Sequence, residues 1–143
     1  MKKIAVVYWS ATGNTEAMAK AVAAGAEKAG AEVMLVGVTQ FGVGDMVNFD
    51  AFIFGCPAMG EEILEDTEFE PFFAQAEKHL KGVTVGLFGS YGWGGGVWMK
   101  KWQNRTVQAG ANLVMDGLAI ENGPSDAGIK NCKLLGCKVA EAI

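Results

Sequence analysis

Ile4-Ala5-Val6-Val7-Tyr8-Trp9-Ser10-Ala11-Thr12-Gly13-Asn14-Thr15-Glu16 decides the fold of this chain. An apolar run ends abruptly in a short polar turn, and a helical pattern begins at once. That is the layout of a buried strand running into a loop that opens onto a helix N-terminus. Such a terminus leaves backbone N–H groups unpaired and carries a partial positive charge, so it is a ready anion site. The turn adds the hydroxyls of Ser10, Thr12 and Thr15 and the amide of Asn14. Together they make a phosphate cradle built from dipoles. The first lysine beyond it is Lys20, so the lysine-bearing loop of a nucleoside-triphosphate site is absent. The three-glycine turn of a dinucleotide fold is absent too.

Outward from this stretch the chain alternates between the two periodicities. The apolar run predicts a strand over Lys3–Trp9. Met18, Ala21, Val22, Gly25 and Ala29 recur at three- and four-residue steps and predict a helix over Asn14–Ala29. Strands follow at Glu32–Val38 and Ala51–Gly55, the first trailed by a glycine-bearing loop with one helical turn near Gly42–Asp45. An acidic, irregular segment leads to a helix over Glu68–Leu80. A strand at Val83–Gly89, a helix at Val97–Ala109, a fifth strand at Asn112–Ile120 with a kink at Gly117, and a last helix at Asp126–Ala142 complete the pattern. This alternation argues for an α/β fold, a doubly wound five-stranded parallel sheet of order 2-1-3-4-5 with helices on both faces. It forms one expected domain over residues 1–143.

In such a sheet a ligand lies beyond the carboxyl ends of the strands, at the switch point between the first and third. That rule gathers three loops, Ser10–Thr15, Cys56–Glu62 and Ser90–Gly96. Large apolar side chains set in glycine-rich loops fit a flat aromatic ligand better than a core. Trp93, flanked by Gly92 and Gly94, is the side chain expected to stack. Trp98 and Trp102, at helical spacing, are expected in the core, and Trp9 could join them at the strand end.

Bulk properties narrow the function. The 143 residues carry a formal net charge of −4 and no basic run, which removes the electrostatic footprint of a nucleic-acid binder. No stretch approaches the ~20 apolar residues of a membrane span, and nothing suggests export, so a cytoplasmic monomer is expected. Three cysteines, Cys56, Cys132 and Cys137, cannot all pair within one chain, and a single histidine argues against zinc. Cys56 adjoins the site without a neighbouring cation to activate it, so an inert buried thiol is expected. The densest charge run, Glu61, Glu62, Glu65, Asp66, Glu68 and Glu70, reads both as a favourable helix start and as an acidic rim for a basic partner.

Three segments then become recognisable together: Tyr8–Glu16, Gly55-Cys56-Pro57-Ala58-Met59-Gly60 and Leu87-Phe88-Gly89-Ser90-Tyr91-Gly92-Trp93-Gly94. In this order and at these distances they resemble the flavodoxin family, over the whole chain. The fifth strand lacks a long insertion, as in the short-chain type found in anaerobic bacteria. The resemblance implies non-covalent FMN and a low-potential one-electron carrier between larger redox proteins, cycling mainly between neutral semiquinone and anionic hydroquinone. It assigns Ser10, Thr12, Asn14 and Thr15, with the backbone of Ala11 and Gly13, to the phosphate. Met59 would cover one face of the ring and Trp93 the other. Glu62 would bond the flavin N3–H, and Ser90, Gly92 and Asn122 would line the ring and ribityl side, with Pro57, Ala58, Tyr91 and Gly94 beside them. The Gly60–Glu61 peptide would tune the redox steps by turning its carbonyl toward the flavin N5–H. Basic-faced redox proteins would dock on Glu61, Glu62, Glu65 and Asp66. Pro57 stands where some relatives have a hydroxyl residue, and Gly95 where relatives often have an acid.

The implied chemistry is physically sound. Glycine at position 60 accepts positive φ at little steric cost. A hydrogen bond made only after reduction stabilises that state by ~0.5–1.5 kcal/mol. At an effective dielectric of ~20, a carboxylate ~8 Å from an anionic flavin costs roughly 2 kcal/mol. For a one-electron step that is a potential lowered by roughly 90 mV. The alternative on this fold is an FMN-dependent quinone or azo-compound reductase, which needs open space over the flavin that Trp93 and Met59 would fill. A phosphoacceptor domain would need acids where Trp9-Ser10 and Gly55-Cys56 stand. A phosphatase loop fails because the sixth residue after Cys56 is Glu62, not arginine.

Overall fold

The structure is a computed structural model that describes residues 2–60 and 62–143. The chain runs β1 (Lys3–Tyr8), α1 (Asn14–Lys28), β2 (Glu32–Gly37), β3 (Ala51–Gly55), α2 (Phe69–Ala76), β4 (Thr84–Tyr91), α3 (Val97–Gln108), β5 (Asn112–Leu113), β6 (Leu118–Glu121) and α4 (Asp126–Glu141). Two 3-10 turns, Val38–Gln40 and Val43–Asn48, take the place of the single turn expected after β2. Another, Glu77–His79, tightens the end of α2. Pro71 sits in the first turn of α2, where no intrahelical N–H is required of it.

All sheet pairings are parallel, in the order β2-β1-β3-β4-β5, with β6 also on β4. The continuous apolar strands follow from burial on both faces. Ile4, Val6, Ala51 and Ile53 face α1 and α4, whereas Ala5, Val7, Phe52 and Phe54 face α2 and α3. On the first face the two helix backbones touch. A Cβ at Gly25 would overlap the Lys133 carbonyl, and one at Gly136 would overlap the Val22 carbonyl. On the second face Trp102 meets Phe69 and Phe73 edge-on, at centroid distances of 5.4 and 5.6 Å. Arg105 of α3 forks onto Glu70 with two bonds of 2.7 Å and also bonds Glu77, clamping α3 to α2. Those carboxylates hold its guanidinium well above the usual arginine range despite burial.

The expected fifth strand, Asn112–Ile120, is in fact two short pieces. Thr84 and Val85 pair with Asn112 and Leu113, and Phe88 to Tyr91 pair with Leu118 to Glu121. Two residues of β4, Gly86 and Leu87, therefore lie opposite the four residues 114–117. Gly117 explains the break. Its N–H goes to the Gln103 side chain of α3 at 2.8 Å, and any Cβ there would overlap Met99. The kink is thus a full departure from the ladder toward α3.

Candidate functional site

The three loops expected to converge do so at the carboxyl ends of β1, β3 and β4. The first turns into α1 at Gly13, in the left-handed region (φ 96°), which offers the helix no capping side chain. The first-turn N–H groups therefore remain available to an anion, while Ala11 and Thr12 are exposed beside them. Ser10 Oγ accepts the Gly13 N–H at 3.1 Å and shapes the turn. Asn14 reaches toward the Asn122–Gly123 turn, its Oδ1 3.3 Å from where a Cβ on Gly123 would stand. Thr15 is 1% exposed, and its hydroxyl lies 2.9 Å from that of Ser90, itself 6% exposed. These two hydroxyls tie the cradle to the end of β4. An open cavity of about 540 Å³ borders the cradle on its β2 side, reaching Thr12, Thr39 and Glu68.

The second loop continues the sheet before it turns. Cys56 and Ala58 donate their N–H groups to Phe88 and Ser90 carbonyls at 3.1 and 3.0 Å. Met59 and Ile63 then exchange bonds of 2.8 and 3.1 Å in an isolated antiparallel bridge. Gly60 has φ +46° and open space on the side where a Cβ would stand. Glu61, assigned to redox tuning and docking, lies outside the described residues. Glu62 also has positive φ, 62°, sparsely allowed for a side-chain residue. Its carboxylate accepts the Trp98 N–H at 2.8 Å, at the start of α3. One oxygen is used in this way, and the other lies against Gly94, where any Cβ would overlap it.

The third loop leaves β4 two residues later than expected, at Tyr91, because Asn122 donates its N–H to the Tyr91 carbonyl at 2.7 Å and extends the β4–β6 pairing. Gly94, Gly95 and Gly96 are all at positive φ. Trp93 projects from this loop 66% exposed, whereas Trp98 and Trp102 are each 2% exposed in the core, as expected. Trp98 also donates its indole N–H to the Cys56 carbonyl at 3.2 Å. Trp9 is half-buried, its indole N–H held by Glu68 at 2.7 Å.

Glu65 does not stand on the docking rim. It was expected there, yet it is 5% exposed. One carboxylate oxygen accepts the N–H groups of Glu68 and Phe69, each at 2.8 Å, and the other accepts the N–H and hydroxyl of Thr67. It is the acid that caps α2. Burial pushes its pKa up, but these four bonds outweigh burial and hold it below the ordinary glutamate value. Asp66 and Glu68 remain exposed. Cys56 is fully buried, and burial raises its thiol pKa far above the ordinary value, as fits an inert thiol. Glu16, which holds the Tyr8 hydroxyl at 3.1 Å, and Glu68, on Trp9, were not assigned to the site. The Trp9–Glu68 bond joins segments 59 residues apart, so no local pattern announces it, whereas Tyr8 and Glu16 bond across the turn of a single strand–turn–helix stretch. The capping role of Glu62 had a partial signal: Gly96 before α3 has no side chain, which leaves the first-turn N–H groups open to an acid from another loop.

The geometry fits FMN on the chain's own residues. An uncapped helix N-terminus with adjacent hydroxyls suits the phosphate. An exposed tryptophan between glycines, with a positive-φ glycine on the neighbouring loop, suits a flat ring. The flavodoxin family matches residues 6–136. The chain is 48% identical to a flavodoxin of Megasphaera elsdenii over 139 residues, covering 97% of this chain and 99% of that one. It is 42% identical to a flavodoxin of Clostridium beijerinckii over 135 residues, covering 94% and 97%. The solution structure of the two-electron-reduced Megasphaera elsdenii protein superposes with a TM-score of 0.88, over 96% of this chain and 98% of that one.

Proposed function

The chain belongs to the flavodoxin family and is an FMN-binding electron carrier rather than an enzyme, and on that premise we propose how its residues divide the work. The N–H groups at the start of α1, with Thr12, Asn14 and Ser10, hold the phosphate. Thr15 and Ser90, bonded to each other, fix the cradle relative to β4 and complete the wall on the ribityl side with Asn122. Trp93 stacks on one face of the ring and Met59 covers the other, and together they exclude water. Ala11, Gly13, Pro57, Ala58, Tyr91, Gly92 and Gly94 supply the backbone around it. The carboxylate oxygen of Glu62 left free by Trp98 accepts the ring N3–H.

When bound, FMN supplies one-electron chemistry, and the carrier works mainly between the half-reduced and fully reduced levels. The carbonyl of Gly60 would accept a hydrogen bond from the flavin N5–H, and its positive φ and open flank support this role. Glu62, with negative charge beside the ring, would make the second electron harder to add and the reduced carrier a stronger donor. Redox proteins with basic faces dock on the side carrying Asp66 and Glu68, the acids that remain exposed after Glu65 is withdrawn into its cap. The carrier acts as a cytoplasmic monomer. Among the described residues no helix is long and apolar enough to cross a membrane.

The observation that carries this reading is Trp93, 66% exposed between two glycines on the loop beside the phosphate cradle. Stepwise reduction of the FMN-loaded protein, followed by absorption, tests it. Two resolved one-electron steps are expected, with tryptophan fluorescence strongly quenched by FMN and the quenching reduced in Trp93→Ala. A protein that stays colourless with added FMN, or a single two-electron step, would overturn it.

A further inference from the structure

A second cavity, of about 500 Å³, lies far from the redox loops, on the outer side of the α1–α4 contact. Ala24 and Gly25 of α1 and the C-cap Ala29 form a floor of small residues, and Leu134 and Cys137 of α4 form an apolar wall. The groove is open, and the helix backbones touch beside it at Gly25 and Gly136. Lys28, Lys130 and Lys133 rim it, and none of its lining residues is acidic. In a chain of net charge −4, three cations converge on one concave surface. None of the three forms an ion pair with a described acid. Lys28 lies in the last turn of α1, where it complements the helix dipole. Lys130 and Lys133 lie in the N-terminal half of α4, where the dipole gives a cation nothing. Leu134 is left 46% exposed beside them.

We propose that this groove binds a small amphipathic anion, an apolar body carrying a single carboxylate head. The apolar body lies on Ala24, Ala29 and Leu134, and the head is received by Lys130 and Lys133. Its volume is within the ~300–1,000 Å³ of small-molecule sites. The site is separate from the redox loops, so its occupancy does not depend on how the flavin is held.

The test is titration of the FMN-loaded, nitrogen-15-labelled protein with decanoate, read by amide chemical shifts. Saturable shifts are expected over residues 24–29 and 130–137, with the flavin spectrum unchanged. Cys137 lines the groove, so saturating decanoate should slow its alkylation by iodoacetamide. The double variant Lys130→Glu with Lys133→Glu should weaken binding at least about tenfold, ~1.4 kcal/mol. Lys130→Ala with Lys133→Ala should do so to a lesser degree, each variant being checked for retained FMN. Equal binding of decyl maltoside, shifts spread over all exposed lysines, or unchanged affinity in both double variants would overturn the proposal. Displacement of decanoate by an acidic peptide at lower concentration would reassign the groove to a protein partner and equally overturn it.

Discussion

The Glu62 carboxylate accepts the Trp98 backbone N–H at 2.8 Å, so an acid from the loop after β3 caps the helix that follows the loop after β4. The two loops proposed to enclose the ring are thereby fixed to one another. Glu62→Ala should lower stability by about 0.5–2 kcal/mol, the usual worth of a helix cap. Glu62→Gln, which keeps an acceptor, should lose little stability yet raise the potential of the second electron step. Urea unfolding and a potentiometric titration of the same two variants separate these effects.

Thr12 and Thr15 sit three positions apart but in different surroundings, one exposed and the other 1% exposed against Ser90. Thr12→Val should weaken FMN binding about tenfold or more while leaving riboflavin binding unchanged, since riboflavin has no phosphate to lose. Thr15→Val should weaken both ligands and also cost ~1–3 kcal/mol of stability, by leaving the Ser90 hydroxyl buried without its partner. Equal loss of riboflavin binding in both variants would remove Thr12 from the phosphate site.

Glu65 predicts an acid-dependent loss of stability. Its folded pKa is depressed, so its contribution is fully present above the ordinary carboxylate range and is lost as pH falls through the depressed folded value. Glu65→Gln should reduce stability at neutral pH and flatten the acidic limb of the stability–pH curve. An acidic limb identical to that of the parent protein would show that other carboxylates set it.

The α1–α4 contact predicts intolerance of a single methyl group. Alanine gains ~1 kcal/mol over glycine in an exposed helix. At Gly25 or Gly136, however, the added Cβ overlaps a carbonyl of the facing helix. Overpacking of this kind costs typically 1–3 kcal/mol, so both Gly25→Ala and Gly136→Ala should be net destabilising in urea. A stabilised variant would mean that the helices separate at little cost.

Most of this architecture was legible because its signals are local. The run from Ile4 to Thr15 contains a strand, a turn and a helix start in consecutive residues, and sheet topology then places the other two loops beside it. What escaped depends on partners distant in sequence. Glu65 lies in a run of acids and reads as solvated, but its carboxylate turns inward onto four donors. The strand expected over Asn112–Ile120 kept its hydropathy but not its continuity, since Gln103 captures the N–H of Gly117. Glu62 was assigned to the ring, and its second attachment, to Trp98, became visible only with α3 in place.

That broken strand has a further consequence for the sheet margin. An uninterrupted final strand would offer a long row of unpaired backbone donors and acceptors, a template for another chain to lengthen the sheet. Here the margin is two residues at Asn112–Leu113 and four at Leu118–Glu121, separated by a detour toward α3. An incoming strand would lose register across that gap, so the same glycine that shapes the sheet also makes this edge a poor template for another chain.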